Sequence, residues 1–359
     1  MENIKTKDYQ KENKIITLIL WVLICGVSIS AMLYVAAHKT IVIADVQSGG
    51  QSLNAEEVVD ATDTIKVSYP LMLKKEALTD GSFSIPLEAE IKAEKVVVEN
   101  RYWDKEIWIY IQGAKEGFFA ENVIHGDTGH IIKGDCEVQR NRLILKMQMD
   151  SIFEYRTIMD GNEMVLTFEE PKAVYEHVIV IDPAYGGDET GTIMRGYAEK
   201  ILTMQIADML PGKVDSEGVK LYFTRREDET VSREERVALA EELDADLYIR
   251  ISAKEDEDAG KYGISAYYND SYFIPEFGNV QLADVLTRCV TVASSNLAEG
   301  VITAEEESIL QDLSMPAAQI NVGYLTHPVE GELLGTAEYR EKLAQGIADA
   351  IMEVCADEK

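Results

Sequence analysis

Basic residues and histidine are both scarce in this chain of 359 residues. Against 64 Asp+Glu stand only 34 Lys+Arg, giving a formal charge of −30, and there are five histidines. The shortage of bases excludes a function. Binding a nucleic acid means replacing its counterions with Lys and Arg, and this protein starts with the wrong sign. Broad adhesion of the folded part to anionic headgroups or polymers is disfavoured for the same reason. Cysteine is equally sparse. Cys25, Cys136, Cys289 and Cys355 form no CxxC pair, zinc-ribbon spacing or disulfide framework. Free buried thiols are expected, with a single Cys289–Cys355 bridge as the alternative. Against these shortages, 46% of residues are hydrophobic and 27% charged, the balance of a folded protein of about two domains.

One stretch has no charge at all. From Ile15 to Ala37 there are 23 consecutive uncharged residues, with Lys5, Lys7, Lys11 and Lys14 before them and Lys39 after. About 20 apolar residues span a bilayer core, so residues 15–37 are expected to be a transmembrane anchor. The lysine bias places residues 1–14 in the cytoplasm and everything after the span outside. A signal peptide cleaved near Val35-Ala36-Ala37 is the alternative, although such apolar cores are usually shorter. Both readings put the bulk of the chain outside the cytoplasm, and the first makes it a single-pass protein of the cell membrane.

Residues 38–84, small and polar with scattered acids, read as a linker, within which Val67–Leu73 is either a strand or a short packing segment. Residues 85–172 carry short β-branched and aromatic runs, among them Lys95–Asn100, Glu106–Gln112, Arg142–Met149 and Glu163–Glu169, separated by turn residues. This spacing predicts a small all-β sandwich, with Asp160-Gly161 as a hairpin signal. It holds no nucleophile–base constellation, and His125 and His130 flank a Gly/Asp-rich turn. From residue 173 to 359, apolar runs alternate with helical patterns: His177–Asp182, Val219–Thr224, Asp246–Ser252, Ile264–Tyr268 and Ala318–Leu325. They predict an α/β domain with a largely parallel sheet covered on both faces. Ser232 with Glu235 is a capping box, and Thr336 is the expected N-cap of a last helix carrying Leu343, Ile347 and Ile351 on one face. Most of the negative charge lies in this domain.

The order of motifs in the α/β domain resembles the zinc-dependent N-acetylmuramoyl-L-alanine amidases, hydrolases of the cell wall. Val178–Gly191 (VIVIDPAYGGDETG) looks like their first strand and loop, V-I-D-P-G-H-G-G-x-D-x-G. Gly196–Lys200 (GYAEK) matches G-x-x-E-K, and Phe223–Glu229 (FTRREDE) resembles T-R-x-x-D. Arg236–Lys254 and Met315–Leu334 are similar to the segments carrying A-D-L-F-I-S-I-H-A-N and M-P-A-x-L-V-E-x-G-F. The β-module occupies the place of the AMIN domain found ahead of some such enzymes, and is AMIN-like in its strand pattern.

The resemblance implies a zinc ion held by His, Glu and His, with a further Glu as general base on the metal-bound water. Carried over position by position, the first His is Tyr185, the Glu ligand is retained as Glu199, the second His is Ser252, and the general base is Asn321. A phenol and a hydroxyl are poor zinc donors beside imidazole, and an amide cannot accept a proton at neutral pH. The expectation is therefore an amidase-type framework without zinc or other cofactor and without catalytic residues, a pseudoenzyme that binds a peptidoglycan fragment or a wall or division protein. Tyr185, Glu199, Ser252 and Asn321 are its candidate pocket. Two alternatives stay open: an active amidase with a metal site rebuilt from Glu199, Asp188 or Glu189 and His327, or an interaction protein acting through its β-module. Thr224, Arg225 and Arg236 are read as packing and ion-pairing residues.

Overall fold

The computed structural model describes residues 67–76, 81–271 and 273–357. The expected anchor at 15–37 lies outside these residues; among them, no helix is long and apolar enough to cross a membrane.

Ten strands build the N-terminal module: β1 (Val67–Pro70), β2 (Leu73–Lys75), β3 (Ser82–Pro86), β4 (Val96–Arg101), β5 (Glu106–Gln112), β6 (Ile124–Gly126), β7 (Ile131–Gln139), β8 (Arg142–Met149), β9 (Glu154–Asp160) and β10 (Glu163–Glu169). They form two five-stranded sheets, ordered β1-β7-β8-β5-β4 and β2-β6-β3-β10-β9. Alternation explains the arrangement. In β5, Ile107, Ile109 and Ile111 point inward while Trp108 and Tyr110 face out, the period-two pattern of a half-buried strand. Facing them from the other sheet are Phe83, Ile85, Met164 and Leu166, all fully buried in the same core. The β9–β10 hairpin turns at Gly161, whose φ of 59° suits glycine, with Asp160 opposite Glu163.

One expectation needs correction here. The last part of the linker expected over 38–84 contains β1, β2 and the start of β3 of this module. The open question over Val67–Leu73 resolves to β1, which pairs with β7 through Tyr69 opposite Cys136. The missed signal was in SFSIP. Its Phe83 and Ile85 lie in the core, and its two serines are buried as well, so polar residues hid a strand covered on both faces.

A six-stranded sheet makes the second domain: β11 (His177–Pro183), β14 (Val219–Phe223), β15 (Leu247–Lys254), β16 (Ile264–Tyr268), β17 (Ala298–Thr303) and β18 (Ala317–Tyr324), with the short hairpin β12 (Ile193–Met194) and β13 (Tyr197–Ala198) apart from it. The order is β14-β11-β15-β18-β16-β17. β14, β11, β15 and β18 run parallel, β16 is antiparallel to β18, and β17 is parallel to β16.

Besides short helical turns α1 (Phe118–Glu121), α2 (Pro171–Val174) and α6 (Glu330–Leu334), four longer helices cover the sheet: α3 (Glu199–Ala207), α4 (Arg233–Glu242), α5 (Asn279–Ser294) and α7 (Ala337–Asp357). Leu202 and Ile206 of α3, Leu282 and Leu286 of α5 and Leu343, Ile347 and Ile351 of α7 pack on one face. Leu239 of α4 and Leu243 just after it pack on the other, together with Tyr102 and Ile152 of the β-module. Burying one such aliphatic side chain contributes about 1.5–3 kcal/mol. Both expected caps form: Ser232 and Glu235 bond reciprocally, and the Tyr339 N–H donates to Thr336 Oγ1 at 3.3 Å. The alternative Cys289–Cys355 bridge is not formed, and both side chains remain thiols, as does Cys136.

Candidate functional site

The candidate residues sit where the parallel strands end. β11 runs into a loop that begins at Tyr185, whose φ of +64° is left-handed, a conformation costing roughly 1–2 kcal/mol for a residue with a side chain. Buried arginines hold the loop. Arg236 Nη2 donates to Tyr185 O at 2.9 Å, while Arg225 donates to Pro183 O, Ala184 O and Lys200 O. Arg236 also makes the ion pair expected of it, with Asp182, whereas Arg225 is packed in and bonded to backbone carbonyls. The loop then closes over Glu199: a side chain at Gly191 (φ +61°) would fall 2.6 Å from the Tyr185 ring and 2.8 Å from Glu199 Oε2. Tyr185 and Glu199 therefore converge on one point, and only glycine allows the chain to pass it.

Glu199 is the first residue of α3, a favourable place for an acid at the positive end of the helix, and it is 1% exposed. Its oxygens are already engaged. Oε1 accepts from the Ser252 hydroxyl and from Ala253 N–H, both at 2.7 Å, and Oε2 accepts from Thr192 N–H at 3.2 Å. Burial raises the carboxyl above its ordinary pKa, against the pull of these donors and of Arg250. Burial, with the Glu199 charge behind it, also raises the Tyr185 phenol. Asn321 lies beside Ser252 on the adjacent strand, at the paired position of β18. Its Oδ1 accepts from Gln319 Nε2 at 3.0 Å, and the residue is 2% exposed. The structure thus brings Tyr185, Glu199 and Ser252 together and sets Asn321 next to Ser252.

Beneath the site lies a charge cluster in which Asp182 and Arg250, which the sequence did not single out, join Thr224 and Arg236. Asp182 is fully buried, bonded to Thr224 Oγ1 at 2.6 Å and ion-paired with Arg236 and Arg250. The two guanidinium groups hold its carboxyl far below the usual range against the cost of burial. The signal was readable: VIVID and LYIRIS each carry one acidic or basic residue in an otherwise largely apolar strand, Asp182 and Arg250, and the two charges are opposite.

The donor set does not fit zinc. Phenol, hydroxyl and carboxamide surround a single carboxylate whose oxygens already accept bonds, whereas zinc sites use imidazole, thiolate and carboxylate. Nor does the rebuilt site form. His327 Nδ1 accepts from Glu330 N–H and its ring lies against Tyr262, while Asp188 and Glu189 are exposed. Among the described residues, no three His, Cys, Asp or Glu side chains gather as a metal would need. His125 lies near Glu76 and Glu163, and His130 near Asp150, on the module's surface.

Residues 179–353 match the family model described as N-acetylmuramoyl-L-alanine amidase. Over 179 residues the chain is 28% identical to the N-acetylmuramoyl-L-alanine amidase CwlM of Mycobacterium tuberculosis, covering 48% of this chain and 44% of that protein. Over 176 residues it is 27% identical to the amidase LytC of Bacillus subtilis, covering 49% of this chain and 35% of that one. Among solved structures, the catalytic domain of CwlV, an N-acetylmuramoyl-L-alanine amidase from Bacillus (Paenibacillus) polymyxa, is similar at 25% identity and a TM-score of 0.47. That match covers 50% of this chain and 98% of the other. The chain spans less than half the length of the two curated relatives. Sequence and matched region agree on the second domain, whose residues 179–353 are similar to the N-acetylmuramoyl-L-alanine amidase family.

Proposed function

We propose that this protein is an extracytoplasmic, membrane-anchored member of the amidase family that takes part in cell-wall remodelling without hydrolysing the amide bond. It acts by binding a peptidoglycan fragment or a protein of the wall machinery. The observation that carries this reading is the bonding of Glu199. A carboxylate that accepts from Ser252, Ala253 and Thr192 has the oxygens that a metal would need turned to protein donors, and Asn321 offers no base for water. The residues that remain keep the loop and strand ends in shape, so a recognition surface persists without the reaction. Residues 15–37 serve as the anchor, and the AMIN-like β-module adds a second binding surface.

Purified protein is tested for zinc by elemental analysis and for stem-peptide release from intact peptidoglycan, with and without added zinc. The reading expects neither bound metal nor release, together with retention of the protein on peptidoglycan or on a wall protein. Stoichiometric zinc with chelator-sensitive peptide release would overturn it in favour of an active amidase.

A further inference from the structure

Two sheet edges face one cleft. β4 is the outermost strand of one module sheet and β14 the outermost strand of the six-stranded sheet. Both line a cleft of about 740 Å³ between module and α/β domain, Asn100 and Arg101 from one side and Val219 and Leu221 from the other. In a parallel ladder, alternate residues turn both backbone groups toward the neighbouring strand. On β14 these are the even-numbered ones, since Gly218 O accepts from His177 N–H and Thr224 N–H donates to Ile181 O. Leu221 and Phe223 therefore turn theirs outward.

At Phe223 a side chain stands in for the missing strand. The Tyr102 hydroxyl donates to Phe223 O and accepts from Phe223 N–H, both at 2.9 Å. Two residues earlier, the outward N–H and C=O of Leu221 have no such partner among the described residues. An unpaired, recessed strand edge is a template for an added strand.

Charge narrows what can be added. Within the cleft, Arg101 is paired with Glu99, Lys220 with Glu154 and Arg226 with Asp208. Glu227 and Glu229 line the same cleft without an ion-pair partner among the described residues, so the balance there is negative. We infer that the cleft receives an extended, Lys- or Arg-bearing segment of a partner protein, which pairs with Leu221 and sets its cation against Glu227 and Glu229. The chain's own residues 38–66 are a poor occupant, with Asp45, Glu56, Glu57, Asp60 and Asp63 against Lys39 and Lys66. A second copy brings another −30 of charge. None of the residues around Glu199 is involved, so this inference and the absence of hydrolysis stand or fall separately.

Three labelled pentapeptides test it on the full chain by fluorescence anisotropy: Val-Lys-Val-Lys-Val, Val-Glu-Val-Glu-Val, and the lysine peptide N-methylated at alternate amides. Hydrogen exchange at the Leu221 amide is followed in parallel. The lysine peptide is expected to bind and to slow exchange at Leu221. N-methylation, or the surface double variant Glu227→Lys/Glu229→Lys, should weaken it by at least about tenfold, and the glutamate peptide should not bind. The inference is overturned if the lysine peptide fails to bind at millimolar concentration, or if it binds no better than the other two. Indifference to the double variant would overturn it as well. So would a Leu221 amide already protected without peptide, which would place residues 1–66 or a second copy in the cleft.

Discussion

The Ser252 hydroxyl donates to Glu199 Oε1 at 2.7 Å, tying the end of β15 to the start of α3. In its absence the buried carboxylate would keep only its two backbone donors. Ser252→Ala is therefore expected to cost about 1 kcal/mol at neutral pH. The folded pKa of Glu199 is raised, so its ionisation opposes folding, and stability falls as pH rises from the unfolded value near 4.3 toward the folded one. Losing a donor to the charged form should enlarge that fall. Urea unfolding at pH 4 and pH 7 reads it, and an equal loss at both would contradict the assignment.

On the proposed reading, imidazoles at positions 185 and 252 should create a metal site with Glu199. Tyr185→His/Ser252→His is expected to take up about one equivalent of zinc, as three N/O ligands at a site with an open fourth position do. Hydrolysis should still be absent, because Asn321 remains an amide. Elemental analysis after dialysis, with a peptidoglycan assay on the same sample, separates the two outcomes. A double variant that folds but holds no zinc would mean that these positions do not converge as described.

Asp182 is the shared ion-pair partner of Arg236 and Arg250 inside the domain. Asp182→Asn leaves the buried Arg236 and the half-buried Arg250 short of a partner, and a loss of about 3–5 kcal/mol is expected. The sign with pH follows from the lowered folded pKa. The stabilisation is complete above the unfolded carboxylate value of about 3.9 and is lost as pH falls below it. Thermal unfolding followed downward from pH 5 should show a fall in the wild type that is smaller in the variant.

Tyr102→Phe keeps the ring against Tyr222, whose centroid lies 5.0 Å away, and removes only the hydroxyl. Phe223 then loses a partner for both backbone groups, a cost of about 1–3 kcal/mol. The expected readout is earlier loosening of the module from the α/β domain, seen as faster protease cleavage near residues 170–176. An unchanged cleavage rate and melting temperature would show that the hydroxyl contributes nothing to docking.

How much of this was legible beforehand depended on how each residue is buried. The parallel strands could be read because both their faces are apolar, as in Val178–Ile181, and the caps because Ser232 and Thr336 have local partners. β17 escaped notice. Its AEGVIT sequence lies at an exposed sheet edge, where the alternation that marks a strand is weak. β2 was hidden in the same way, its Lys74 and Lys75 both exposed. At the site, the identities of Tyr185, Glu199, Ser252 and Asn321 came from motif order, and three of them do converge. The opposite charges of Asp182 and Arg250 can each be read in their own strand, but that they meet depends on the register between β11 and β15, which no local pattern carries.

The Tyr102 hydroxyl reaches across 121 positions of sequence to occupy the end of β14. That separation has a direction. A chain made from its N-terminus completes the β-module before β14 exists, so the guard of this edge is in place when the edge appears. Were the order reversed, a five-residue strand with one side unpaired would wait, able to join the same strand of a neighbouring chain. Gene fusions or permutations that put the α/β domain first should therefore aggregate during synthesis more than the natural order does, with every contact of the finished protein unchanged.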